Sequence, residues 1–155
     1  MRQVPLTVWR ITTRRFVDQA FPGEGAKRYG GRWNKVGQAV VYTAESRALA
    51  LLEMRVQDAP LHAHYVLIPA SLPASVSMET FSDTSLPKNW RSLASRETLQ
   101  LLGGQWLMQM RSCVLEVPSA VIPAERNFLI NPLHPDFKPI ALGLPELLET
   151  DLQLR

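Results

Sequence analysis

Between Gly23 and Asn34 the chain reads GEGAKRYGGRWN, which places four of its eight glycines in one short stretch. Glycine gives up the most backbone freedom on ordering, so such a run predicts a turning loop that a ligand or another backbone can approach closely. The stretch is entered through Phe21-Pro22-Gly23 and carries Lys27, Arg28 and Arg32 beside the aromatics Tyr29 and Trp33. Converging main-chain N–H groups, a guanidinium that forks two oxygens and rings that stack suit a nucleotide diphosphate. A solvated surface loop would have the same composition. Two features further along the chain favour the ligand site, a Tyr on a strand and then a Glu on an apolar helix face.

At 155 residues, 46% hydrophobic and 20% charged, the chain predicts one domain over residues 1–155 with a buried core. Its apolar runs are too short to span a bilayer, and Met1-Arg2-Gln3-Val4-Pro5 lacks the pattern of a signal peptide. The single cysteine, Cys113, excludes an internal disulfide and fits a reducing, cytoplasmic setting, where it reads as a small buried residue. The net charge of +3 conceals an asymmetry: residues 1–35 hold eight basic residues against Asp18 and Glu24, and the remainder is net acidic. Positive charge is therefore concentrated near the glycines, which predicts a local anion site more than a polyanion surface. No helix carries a basic stripe and no zinc-finger or RNA-recognition signature is present, so direct nucleic-acid contact is not expected.

The pattern of residues predicts a first strand over Leu6–Ile11, with Arg10 at its end and a turn at Thr12–Phe16. A second strand covers Ala39–Thr43, with Tyr42 on the face of Val40. A helix from Ser46 to Val56 comes next, in which Leu49, Leu52, Glu53 and Val56 share one side. A strand at 64–68 is expected to stop at Pro69. Residues 69–91 predict irregular connection with a weak strand near Ser75–Phe81, and Ser95 is placed to cap a short helix that Gly103-Gly104 breaks. Short strands are expected at 113–117, 120–122 and 127–130. The leucine-rich tail from Pro139 reads as a docking helix or a frayed end.

Several familiar sites fail. Gly23-x-Gly25 has Arg28 where a dinucleotide-binding fingerprint needs its third glycine, and no helix is evident after it. There is no P-loop lysine motif and no G-x-S-x-G elbow. His62, His64 and His134 lack metal-ligand spacing, so no metal is expected. What remains is Arg32 in the cationic loop, Tyr42 on a strand, Glu53 on the apolar side of a helix and Ser119 at a strand break. A buried carboxylate without a partner costs several kcal/mol, so Glu53 needs a partner or a task. A rim position or a structural arginine would also satisfy it, and Ser119 could simply cap a turn.

Tyr29-Gly30-Gly31-Arg32-Trp33-Asn34, Val41-Tyr42-Thr43-Ala44-Glu45-Ser46, Ala50-Leu51-Leu52-Glu53, Val117-Pro118-Ser119 and Asn131-Pro132-Leu133-His134-Pro135 occur in this order. In that order they resemble the RES domain, a family named for an Arg, a Glu and a Ser that correspond here to Arg32, Glu53 and Ser119. The resemblance is strongest over residues 9–137. It implies an α+β fold, a single ADP-ribosyltransferase-like domain of mixed sheets with peripheral helices. It also implies a toxin of a type II toxin–antitoxin pair that depletes NAD⁺ or modifies a protein with it. The partner implied is an Xre-type helix-turn-helix antitoxin that blocks the active site; the leucine-rich tail and aromatics of this chain also allow a homodimer within the complex.

On that resemblance Glu53, Arg32 and Ser119 are the expected catalytic residues, and Tyr42, Tyr29, Arg10, Arg14 and Asn131 the expected substrate contacts. NAD⁺ enters as substrate, with no cofactor or membrane involved. Cleavage of the nicotinamide–ribose bond needs stabilisation of an oxocarbenium-like ribose and little acid catalysis, since nicotinamide leaves from a cation. Arg32 would bind phosphate, Tyr42 would stack on nicotinamide and Glu53 would stabilise the ribose. Two other classes stay open, a protein ADP-ribosyltransferase and a non-catalytic module that binds anions or nucleic acid.

Overall fold

A computed structural model of the chain describes residues 5–57 and 64–148. Strand β1 (Leu6–Thr13) is rich in β-branched and aromatic residues and runs two residues past its expected end. It pairs antiparallel along its whole length with β3 (Tyr65–Leu72), from Leu6 opposite Leu72 to Thr13 opposite Tyr65. The expected stop at Pro69 does not occur. The Pro69 carbonyl accepts the N–H of Gly143 at 2.8 Å, so the missing proline donor also lies on the side away from β1 and costs that ladder nothing.

On its other side β1 meets β2 (Val41–Ala44), which pairs with β6 (Arg126–Ile130), which pairs with β5 (Val114–Pro118). The short β4 (Met78–Thr80) joins β5 in parallel, making the sheet mixed. The tail from Pro139 forms no helix as far as Leu148. It lays β7 (Ala141–Leu142) and β8 (Glu146–Leu147) against β3, and residues 149–155 lie outside the described part. The result is the expected α+β architecture, built on one continuous sheet in the order β4-β5-β6-β2-β1-β3-β7.

Alternation along β5 and β6 divides the core. Val114, Phe128 and Ile130 join Val8, Val41 and Ile68 in one buried cluster. Leu115, Val117 and Leu129 point the other way, to a cluster with Trp33, Trp90, Leu99 and Trp106. Tyr42 packs against that second cluster together with Val40, as the alternation predicts.

Among the described residues three α-helices flank the sheet. The glycine-rich stretch is not a loop throughout, because Glu24–Tyr29 forms a short helix, α1, ended by Gly30 at φ 73°. Helix α2 (Arg47–Gln57) is capped by Ser46, whose hydroxyl accepts the Leu49 N–H at 3.1 Å. Leu49 and Ala50 bury against Trp9, Ala44 and Leu67, whereas Leu52 faces solvent and does not share the apolar side as expected. The Val56 side chain lies outside what is described.

Helix α3 (Arg96–Gln109) runs unbroken through Gly103-Gly104, contrary to expectation. The first of these glycines is a contact surface, since a Cβ on Gly103 would fall 1.9 Å from the Trp33 carbonyl oxygen. Ser95 does not cap α3; its hydroxyl donates to Asn89 Oδ1 at 3.0 Å. Residues 120–122, expected as a strand, bend instead and lead into a turn closed by the Glu125 N–H on the Ile122 carbonyl.

Candidate active site

The site lies where β1 and β2 part. These strands share one register pair, Trp9 opposite Ala44. Beyond it the Arg10 guanidinium reaches across to the Tyr42 carbonyl at 3.5 Å, while Nε donates to the Ala20 carbonyl at 3.3 Å. Burial lowers the Arg10 pKa, and no carboxylate pairs with it among the described residues. A cation so placed is costly unless an anion arrives.

Arg10, Arg32, Tyr42, Glu53 and Asn127 line one cavity of about 330 Å³, walled by the Gly30-Gly31 turn and by Ala120-Val121. A smaller cavity of about 150 Å³ adjoins it, shares Arg10, Tyr42 and Glu53, and is otherwise lined by Thr43 and by apolar groups including Trp9, Ile11 and Met54.

Glu53 projects from α2 into this space one turn beyond the buried Leu49. Ser119 Oγ donates to its Oε2 at 2.6 Å and Asn127 Nδ2 to its Oε1 at 2.9 Å. Burial raises the Glu53 pKa, opposed by those two hydrogen bonds and by the charge of Arg32. Both carboxylate oxygens are thus oriented while the group remains an acceptor toward the cavity.

Ser119 is fully buried and stands behind Glu53. Its oxygen accepts the N–H groups of Val121 and Ile122 at 3.1 Å each, which aims its proton at the carboxylate.

Tyr42 is fixed as firmly. Its hydroxyl donates to Asn34 Oδ1 at 2.6 Å and accepts the Trp33 N–H at 3.0 Å. Burial raises its pKa, so it serves as a neutral ring and donor. Asn34, fully buried, spends its amide on the carbonyls of Ala26, Lys35 and Gln38 and so ties α1 to the turn. Gly31 leaves room for this pair, since a Cβ would lie 2.7 Å from the Tyr42 hydroxyl and 2.9 Å from Asn34 Oδ1. Arg32 donates to the Arg91 carbonyl at 3.5 Å, and its pKa is lowered by burial first and then by Arg96.

Three expected contacts lie elsewhere. Tyr29 ends α1 with its side chain 75% exposed, outside the cavity lining. Arg14 is exposed just beyond β1, with its backbone N–H on the His64 carbonyl. Asn131 is buried at the end of β6, where its amide donates to the Leu107 carbonyl at 3.4 Å and its oxygen accepts the Leu133 N–H at 3.0 Å. The Trp33 ring is core, packed with Phe81 and Trp90, and is not a free stacking platform.

Burial pushes the Cys113 thiol up to about 12, as suits an inert core residue. Of the histidines, His62 lies outside the described residues, His64 is exposed and His134 accepts the Asp136 N–H in a turn. Among the described residues, no three His, Cys, Asp or Glu side chains converge as a metal site and no helix is long and apolar enough to cross a membrane.

Asn127 was not anticipated, although an Asn inside an otherwise apolar strand is a signal that its amide is needed. Gln100 was also missed. From α3 its amide holds the carbonyls of Gly31 and Asn34 at 2.8 and 3.1 Å.

The sequence model of the RES domain matches residues 7–148. The chain belongs to the RES domain family. Among curated relatives it is 41% identical over 138 residues to "Prs ADP-ribosylating toxin" of Sphingobium sp. (strain YBL2), covering 85% of this chain and 86% of that protein. It is 36% identical to "Toxin Res" of Yersinia enterocolitica, covering 86% and 88%, and 34% identical to "Toxin Res" of Photorhabdus laumondii, covering 85% of each. The fold is that of a chain in the crystal structure of the M. tuberculosis MbcT–MbcA toxin–antitoxin complex, with a TM-score of 0.74, 20% identity, and 93% and 84% of the two chains covered. Within this RES domain Arg32 and Glu53 share the cavity, and Ser119 hydrogen-bonds Glu53 from behind.

Proposed function

We propose that this RES-family protein is a bacterial toxin whose cavity binds NAD⁺ and cleaves its nicotinamide–ribose N-glycosidic bond. The observation that carries the reading is the Glu53 carboxylate, oriented by Ser119 and Asn127 on the wall of a cavity that also holds two arginines in no salt bridge among the described residues. Arg10 and Arg32 would bind the diphosphate, which a planar fork does better than an ammonium. The Tyr42 ring, fixed through its hydroxyl, would form a wall against the nicotinamide. Glu53 would accept a hydrogen bond from a ribose hydroxyl and stabilise the positive charge that develops as the C–N bond breaks. Nicotinamide leaves with the bonding pair, a water oxygen bonds to the ribose carbon, and the water's proton passes to solvent. NAD⁺ is the substrate and no separate cofactor is invoked.

Transfer of the ADP-ribose to a protein side chain is the second reading, favoured by the relative named as ADP-ribosylating at 41% identity. The partner we propose is an Xre-type antitoxin that covers the cavity in the cytoplasm. Purified, antitoxin-free protein incubated with labelled NAD⁺ tests both readings. Release of nicotinamide with free ADP-ribose supports hydrolysis, label on protein supports transfer, and intact NAD⁺ beside folded protein and candidate acceptors overturns both.

A further inference from the structure

The cavity mouth carries more positive charge than a diphosphate requires. Arg32 donates to the Arg91 carbonyl at 3.5 Å, and Arg91 Nε donates to the carbonyl of Ala120, a cavity-lining residue, at 2.8 Å. Arg96 begins α3 four residues before Gln100, hence on the same face, and Gln100 grips the Gly31 and Asn34 carbonyls on either side of Arg32. The charge of Arg96 is felt at both Arg32 and Tyr42.

Among the described residues the salt bridges join Arg47 to Glu146, Arg111 to Glu79 and Arg126 to Glu116, and none includes Arg32, Arg91 or Arg96. The charges of Arg96 and Arg91 both disfavour that of Arg32, and no salt bridge among the described residues offsets this. Arg91 and Arg96 are exposed, but Arg91 is tethered through Nε, which leaves its two terminal nitrogens available for a tetrahedral oxyanion.

We propose that Arg32, Arg91 and Arg96 form a second anion subsite at the cavity mouth, which takes a phosphate group in addition to the diphosphate. The inference rests on the dinucleotide site proposed above. The phosphate could belong to the ligand, as the 2′-phosphate of NADP⁺, or be free inorganic phosphate, and the experiment separates these.

Titration calorimetry on the full chain carrying Glu53→Gln, which slows turnover, is the test. Inorganic phosphate is the first probe, added to the protein without dinucleotide. It should bind, and adding Arg91→Gln and Arg96→Gln together should weaken it about tenfold or more, since each removes a charge-assisted contact. Unchanged affinity, with melting curves showing folded protein, overturns the subsite. If the phosphate is part of the ligand, NADP⁺ binds about tenfold tighter than NAD⁺ and the paired substitutions erase the difference. If it is free, phosphate binds the NAD⁺-loaded protein and NADP⁺ gains nothing. Absence of both effects also overturns the proposal. Failure of NAD⁺ to bind at all would overturn the proposed function instead, and the titration without dinucleotide would still decide the subsite.

Discussion

Ser119 donates to Glu53 at 2.6 Å from a hydroxyl that itself accepts two backbone N–H groups. The geometry makes Ser119 a positioning residue whose hydrogen bond holds the Glu53 pKa down against burial. Ser119→Ala should therefore raise that pKa further. In the proposed role Glu53 works as a carboxylate, so activity should fall as pH drops through its pKa, and the acid limb of the kcat/KM profile should move to higher pH in the variant. A profile that keeps its acid limb in place while activity falls would show that Ser119 only supports the turn.

Glu53→Gln keeps shape and removes a charge that burial disfavours. NAD⁺ turnover should fall on the order of 10²–10³-fold, the usual cost of losing an electrostatic contact made in the transition state. Thermal stability at neutral pH should hold or rise. The folded pKa of Glu53 lies above its unfolded value, so the wild type is penalised above the folded pKa and recovers as pH falls toward the ordinary carboxylate range. Melting temperatures of the two proteins should therefore converge on acidification. A variant less stable than wild type at neutral pH would make Glu53 a structural residue.

Much of this arrangement was legible from local context. Glu53 lies on a helix whose cap and apolar residues are adjacent in sequence, and Tyr42 on a strand whose alternation is clear. What escaped depends on partners far along the chain. Gly103 looks like a helix breaker until the Trp33 carbonyl is seen against it, and Pro69 looks like a strand end until Gly143 is seen on its open side. Tyr29, Arg14 and Asn131 have suitable chemistry and sit in or beside the right motifs, but helix phase and burial direct them elsewhere. Asn127, which was not expected in the site, lines the cavity, whereas Asn131, expected as a substrate contact, does not. Its distinguishing contact is to Glu53, 74 positions earlier.

Among the described residues Arg10 has only neutral carbonyl partners, so its charge is available to substrate from the start. Arg10→Lys keeps the charge but loses the fork and reach of the guanidinium. If the contact is to the diphosphate and is equal in ground and transition states, KM for NAD⁺ should rise about tenfold with kcat little changed. Steady-state kinetics decide this, and a fall in kcat at constant KM would place Arg10 at the reacting bond instead.

The two glycine contacts separate fold from site. A Cβ at Gly31 meets the Tyr42 hydroxyl and Asn34 Oδ1, side-chain atoms that can yield, whereas one at Gly103 meets the Trp33 backbone at 1.9 Å. Gly103→Ala should destabilise the protein by about 1–3 kcal/mol or more, as overpacking of a close contact does. Gly31→Ala should cost less stability but displace Tyr42, and so lower NAD⁺ turnover in protein that remains folded. Gly25, where a Cβ meets nothing within 4 Å, supplies the control, and its alanine variant should be neutral or stabilised by about 0.5–1 kcal/mol. Urea unfolding midpoints measured beside NAD⁺ turnover would show the order. Equal stability of the Gly103→Ala and Gly25→Ala proteins would mean that the α3–Trp33 contact is looser than described, and with it the anchoring of the Gly31–Asn34 turn to α3.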